Sequence, residues 1–261
     1  MKKIIILTLT ALLALSVLTG CGKSGGDQLS EIQKKGSITI AMEGTWAPWT
    51  YHDESDALVG FDVEIGQSIA KYLGVEAVFV EGEWDGLFAG LDAKRYDLII
   101  NGVDITDDRR EKYDFSDPYA YIHTVLVVRD DNEDIHSFED LNGKATANSI
   151  GSTYMELAEA YGATVEGVDS LAETMQMVLS GRADATLNAE VSVADYLGEH
   201  PDAAIKQVAS TEEANLVAIP LRKGDESATL REAVNAAIAQ MRADGTLQAL
   251  SVKYFGVDIT E

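Results

Sequence analysis

The sequence predicts an α/β protein of two lobes, with mainly parallel sheets, helices on both faces, and a cleft between lobes hinged by two crossover segments. Three observations carry this. Short β-branched runs alternate with apolar stripes at helical spacing, the alternation occurs twice in units of similar size, and 261 residues at 46% hydrophobic can bury a substantial core.

The chain opens with a segment of another kind. Lys2 and Lys3 precede an apolar run from Ile4 to Leu18, which ends in "LTGC" at Cys21, the only cysteine among 261 residues. This pattern predicts a signal peptide over 1–20 and resembles a bacterial lipobox, with Cys21 lipidated as the mature N-terminus. The polar, glycine-rich stretch that follows predicts a flexible tether over 21–35. No second long apolar run follows, so the membrane is expected to be met through the N-terminal lipid alone, on its outer face.

From Ser37 the first unit begins with the strand "SITIAM". Phe61, Ile65, Ile69 and Leu73 then form one helical stripe, "VEAVFV" a second strand, Trp84, Leu87, Phe88 and Leu91 a second stripe, and "YDLIIN" a third strand. The second unit starts near Lys144 with "KATAN", a helix from about Thr153 to Tyr161, "TVEGV", a helix through Leu171, Met175, Val178 and Leu179, then "ADATLN" and a helix through Tyr196. The chain returns through "NLVAIP" to a long helix carrying Leu230, Val234, Ile238 and Met241. "DGTLQALSVKYFG" then forms a last helix from Asp244 to a stop at Gly256. Joins around "VLVVRD" and "EEANLVAIP" divide the body into 36–127 with 216–261 as lobe 1, and 128–215 as lobe 2. Small-molecule sites favour such interlobe clefts, outside the carboxyl ends of parallel strands.

Charge narrows the function. The formal net charge is −24 and becomes −26 once Lys2 and Lys3 leave with the leader, so nucleic acid is an unfavourable partner. His52, His123, His136 and His200 stand in no nucleophile or metal-ligand pattern. Neither an enzyme nor a cofactor is expected.

"NGVDITDDRREKY" supplies the first candidate site. Thr106 reads as a helix N-cap with Asp107 and Asp108 in the first turn, where Arg109 meets like partial charge. It either pairs with neighbouring acids on a solvated face or, if the strand end opens into a cleft, receives a carboxylate through its planar guanidinium.

The stretches "EGTWAPW", "LVGFDVEIGQSIAKYLG", "EWDGLFAGLDAKRYDLIINGVDIT", "YDFSDPYA", "SFEDLNGK", "SGRADA", "LRKGD" and "ADGTLQALSVKYFG" occur in an order that resembles the bacterial family 3 solute-binding proteins, the amino-acid receptors of ABC importers. The resemblance spans Gly36 to Glu261 and is greatest to the cystine-binding branch. It implies a type II periplasmic-binding-protein-like fold, a free amino acid as ligand, an ABC permease and its ATPase as partners, and a monomer. It further implies that Trp46 and Trp84 cover the ligand side chain and that Glu43 lies near its distal end. Asn101, Gly102 and Asp104 would touch the ligand's main-chain groups. Arg109 would bind the α-carboxylate, with Ser149, Ser152 and Thr153 on the opposite wall.

One departure stands out. Most family members place an aspartate for the α-ammonium where this chain has Ala189, and a small hydroxyl residue where it has Asp104. Asp104 is therefore the expected replacement partner, with Glu190 the competing candidate. Cystine or a related polar amino acid is the expected ligand. Glu43 keeps a basic amino acid open, and sensing rather than transport, or a dehydratase-like enzyme on this scaffold, are the rival roles.

Overall fold

The computed structural model describes residues 27–261. The signal peptide, Cys21 and residues 21–26 of the expected tether lie outside the described residues. The remainder of that tether differs from expectation, because Gln28–Lys35 forms a helix, α1. Asp27 caps its N-terminus by accepting from Ser30 N–H, Gly36 ends it at φ 78°, and Ile32 is buried.

The first lobe is built on a three-stranded parallel sheet in the order β4-β1-β5, from β1 (Ser37–Met42), β4 (Glu76–Glu81) and β5 (Leu98–Ile99). Between β1 and β4 come the small ribbon of β2 (Tyr51–His52) with β3 (Leu58–Val59), and helix α2 (Phe61–Leu73). Phe61, Ile65, Ile69 and Leu73 of α2 are all buried, as their spacing requires. Helix α3 (Trp84–Asp92) buries Leu87 and Leu91 but leaves Trp84 and Phe88 half-buried. Beyond β5 lie the short helix α4 (Asp107–Lys112), then β6 (Tyr113–Phe115) and β7 (Ala120–Ile122).

The second lobe carries a five-stranded sheet in the order β10-β9-β11-β8-β12. Its members are β8 (Thr124–Arg129), β9 (Ala145–Ser149), β10 (Thr164–Val168), β11 (Ala185–Ala189) and β12 (Ile205–Ser210). Helices α5 (Thr153–Ala160), α6 (Leu171–Leu179) and α7 (Glu190–Glu199) connect them. The expectation of mainly parallel sheets holds for the first lobe only. Here β9, β10 and β11 run parallel, while β8 pairs antiparallel with both β11 and β12. Because β8 belongs wholly to this sheet, the chain passes between lobes just before Thr124, not after Val127.

The return passage leads to β13 (Asn215–Val217) and β14 (Pro220–Arg222), which pair with β7 and β6. The two crossovers therefore lie side by side. Thr124 N–H donates to Thr211 Oγ1 and Thr211 N–H to Thr124 O, at 3.1 and 2.9 Å. Helix α8 (Asp225–Ala243) buries Leu230, Val234, Ile238 and Met241 against the first lobe. Helix α9 (Thr246–Phe255) starts two residues after the expected Asp244 and ends at Gly256.

Candidate functional site: a cleft between the lobes

The parallel strands of both sheets end at one place. Glu43 follows β1, Asn101 lies two residues past β5, Ser149 closes β9, and Asn188 is the penultimate residue of β11. All four line a cavity of about 490 Å³, including its mouth. Of the residues expected at a ligand site, Glu43, Trp46, Trp84, Asn101, Gly102, Asp104, Arg109, Ser149, Ser152 and Thr153 are brought together there. Glu190 is not. Its carboxylate accepts from His123 N–H over 3.5 Å at the crossover, because the first residue of α7 turns back toward the hinge.

On one wall, Glu43 and Asn101 exchange two hydrogen bonds: Glu43 N–H donates to Asn101 Oδ1 at 2.8 Å, and Asn101 Nδ2 to Glu43 Oε2 at 2.6 Å. Burial raises the Glu43 carboxyl to about 7, against the opposing pull of the Asn101 bond. Trp46 stacks on Trp49 at 5.3 Å, and its Nε1 is buried with no hydrogen-bond partner among the described residues. Gly102 adopts φ +55°, and a Cβ on it would stand 2.5 Å from the Trp46 ring, so the close approach of this turn requires glycine. Its N–H donates to Asp62 Oδ2 at 2.5 Å, while Tyr119 Oη donates to Asp62 Oδ1 at 2.8 Å. Burial raises Asp62 to about 7.

Arg109 does not pair with the acids beside it. Its guanidinium lies 5.4 Å from the ring centres of both Trp84 and Phe88, donates to Asp104 O at 3.0 Å, and reaches Gly151 O on the other lobe at 3.5 Å. Among the described residues it forms no ion pair with a carboxylate. Desolvation by burial lowers its pKa, so a bound anion would relieve a real cost. The dipole argument that singled it out has little force, because α4 has only six residues and its first and last turns overlap.

Asp104 is 5% exposed rather than a solvent-facing loop acid. Burial raises its pKa to about 6, despite the bond from Thr153 and the nearby Arg109. Across the cleft, Ser152 caps α5 by accepting from Met155 N–H, and Thr153 Oγ1 donates to Asp104 Oδ2 at 2.5 Å. Trp49 Nε1 also crosses, donating to Ser192 Oγ on α7 at 3.1 Å. With the Arg109–Gly151 contact, these bonds describe a closed cleft. Thr45, Tyr154, Ser170, Leu171 and Asn188 complete the lining; the helical spacing of Leu171 points to the core, and none of the five is among the expected site residues. Asn188 had a signal: like Asn101, it ends an apolar strand run.

The model of the bacterial extracellular solute-binding proteins, family 3, matches residues 38–257. The chain belongs to that family. The L-cystine-binding protein TcyA of Bacillus subtilis (strain 168) is 40% identical over an alignment of 272 residues that spans 100% of both chains. Among solved structures, an ancestral arginine-binding protein bound to arginine superposes with a TM-score of 0.79 at 35% identity, covering 85% of this chain and 99% of that one. The L-cystine solute receptor of Neisseria gonorrhoeae, unliganded and open, is 39% identical over 90% of this chain and 99% of its own, with a TM-score of 0.61. The more similar sequence is thus the less similar shape, which agrees with the closed cleft. As a family 3 solute-binding protein the chain has the two-lobed type II fold, and its relatives are named as binding proteins, not enzymes. The family is extracellular, and no helix among the described residues is long and apolar enough to cross a membrane.

Proposed function

We propose that this protein captures a polar amino acid, with cystine the best candidate, and delivers it to an ABC permease and its ATPase while tethered to the outer face of the membrane through lipid on Cys21. The observation that carries the reading is the Arg109 guanidinium. It lies beside the Trp84 and Phe88 rings at the cavity wall, is bonded to backbone carbonyls, and stands opposite the start of α5 with its Ser152 and Thr153 hydroxyls. A planar cation with free N–H groups facing a helix start fits an α-carboxylate in bidentate fashion. Elsewhere on the lining, Trp46 offers apolar surface for a thioether or aliphatic stem, which Trp84 extends beside Arg109, and Glu43 offers a carboxylate for a distal cationic nitrogen.

Glu43 also favours a second reading, a basic amino acid, because its carboxylate is fixed by Asn101 rather than neutralised by a cation. A thermal-shift screen over the proteinogenic amino acids and cystine, followed by calorimetry, separates the two. Cystine binding tighter than arginine and lysine supports the first reading, the reverse order supports the second, and no binding by any amino acid refutes both. Palmitate labelling that disappears in Cys21→Ala tests the anchor.

A further inference from the structure

Two carboxylates line the cavity, and they are not equivalent. Glu43 has Oε2 engaged by Asn101. Asp104 has Oδ2 engaged by Thr153, whereas its Oδ1 is buried and has no hydrogen-bond partner among the described residues. A buried carboxylate oxygen left without a donor is unfavourable unless something arrives to fill it. The same residue's backbone oxygen accepts from Arg109 Nη1, so the vacant acceptor and the guanidinium belong to one turn of the first lobe. The second lobe offers no competing anion: Ala189 contributes a methyl group, Asn188 Oδ1 accepts from Ala189 N–H at 2.9 Å, and Glu190 is turned to His123.

Building on the amino-acid reading, we infer that Asp104 is the partner of the ligand's α-ammonium, so that one lobe holds both charges of the zwitterion and the second lobe senses them through Thr153. A zwitterion's opposite charges lie on neighbouring groups, and Arg109 and Asp104, joined through the Asp104 backbone oxygen, present groups of opposite sign to one cavity. Capture on the open first lobe then needs nothing from the second. Closure brings Thr153 Oγ1 to Oδ2 while Oδ1 stays with the ammonium. A cation on Oδ1 keeps Asp104 ionised, and an ionised Asp104 is the stronger acceptor for Thr153. Ammonium recognition and lobe closure are therefore coupled through a single side chain, and the coupling is reciprocal.

The test compares L-arginine with 5-guanidinopentanoic acid, which lacks its one α-amine, and L-cystine with 3,3′-dithiodipropionic acid, which lacks both of its α-amines. By calorimetry, the wild type should prefer the amino acid of its cognate pair by about 100-fold or more. Asp104→Asn should lose that preference while binding the des-amino acid within about threefold of wild type, and Glu190→Gln should leave both affinities unchanged within the same margin. Asp104→Ser, read on the same pairs, replaces the Asn variant if the latter does not fold. Retention of the preference without Asp104, or an equal loss in Glu190→Gln, overturns the assignment while leaving the amino-acid reading intact. A wild type that binds neither pair overturns both.

Discussion

Trp49 Nε1 donates to Ser192 Oγ over 3.1 Å, so a fully buried indole of the first lobe is fastened to helix α7 of the second. The same indole stacks on Trp46, which lines the ligand cavity. Ser192→Ala removes the hydroxyl with little change in packing and leaves the indole N–H unpaired on closing. A net hydrogen bond of about 1 kcal/mol predicts roughly fivefold weaker ligand binding, read by calorimetry, with unfolding of the free protein little changed.

Arg109→Ala should weaken amino-acid binding by about 2–5 kcal/mol, or 30-fold and upward, because the ligand carboxylate would be buried without its cation. Arg109→Lys should not restore it. An ammonium lacks the planar face that sits beside the Trp84 and Phe88 rings and cannot present two parallel N–H groups to a carboxylate. Wild-type affinity in either variant would remove the observation on which the functional reading rests.

Binding should release protons near neutral pH. Burial holds Glu43 at about 7 and Asp104 at about 6 in the free cavity, so both are partly protonated there. A ligand bringing cationic nitrogens favours both carboxylates in the charged form. Calorimetry at pH 6.5 in buffers of different ionisation enthalpy reports the release, and Glu43→Gln should diminish it.

Asp62 should make the protein less stable as pH rises. Its carboxyl is raised by burial from 3.8 to about 7, so the folded state binds this proton more tightly than the unfolded state does. The contribution is fully present below pH 3.8 and is lost as pH climbs through 7, an effect on the order of 4 kcal/mol. Melting curves between pH 5 and 8 should fall with pH in the wild type and fall less steeply in Asp62→Asn.

Gly102→Ala should cost about 1–3 kcal/mol of stability, since the added methyl would meet the Trp46 ring at 2.5 Å in a backbone conformation with φ +55°. The melting temperature reads this directly, and the displaced ring should weaken ligand binding as well.

The large helices were legible because burial imposes a period: the stripes on α2 and α8 face the core residue for residue. Helix α1 was not, since its sequence QLSEIQKK is mostly polar and buries only Gln28 and Ile32. Its caps, Asp27 and Gly36, were the readable signal. Strand β8 reads as a connector because "VLVV" is a short unbroken apolar run ahead of Arg129 and Asp130, and such a run has no period to distinguish a central strand from a crossover. At the site, the family likeness located residues that no periodicity marks. Strand ends and helix starts have no repeat, so no period marks Asn188 or Tyr154 as lining, and the repeat that Leu171 does obey points to the core. Glu190, the competing candidate, lies outside the cavity because the first residue of α7 faces the crossover, which adjacency to a strand end does not fix.

Asp27 caps α1 and accepts from Thr229 of α8, which fastens the start of the described chain to the first lobe. Any leash pulling from upstream therefore loads that lobe alone. Were the body moored there, the second lobe would hang from the two crossovers, and its swing would not work directly against the mooring.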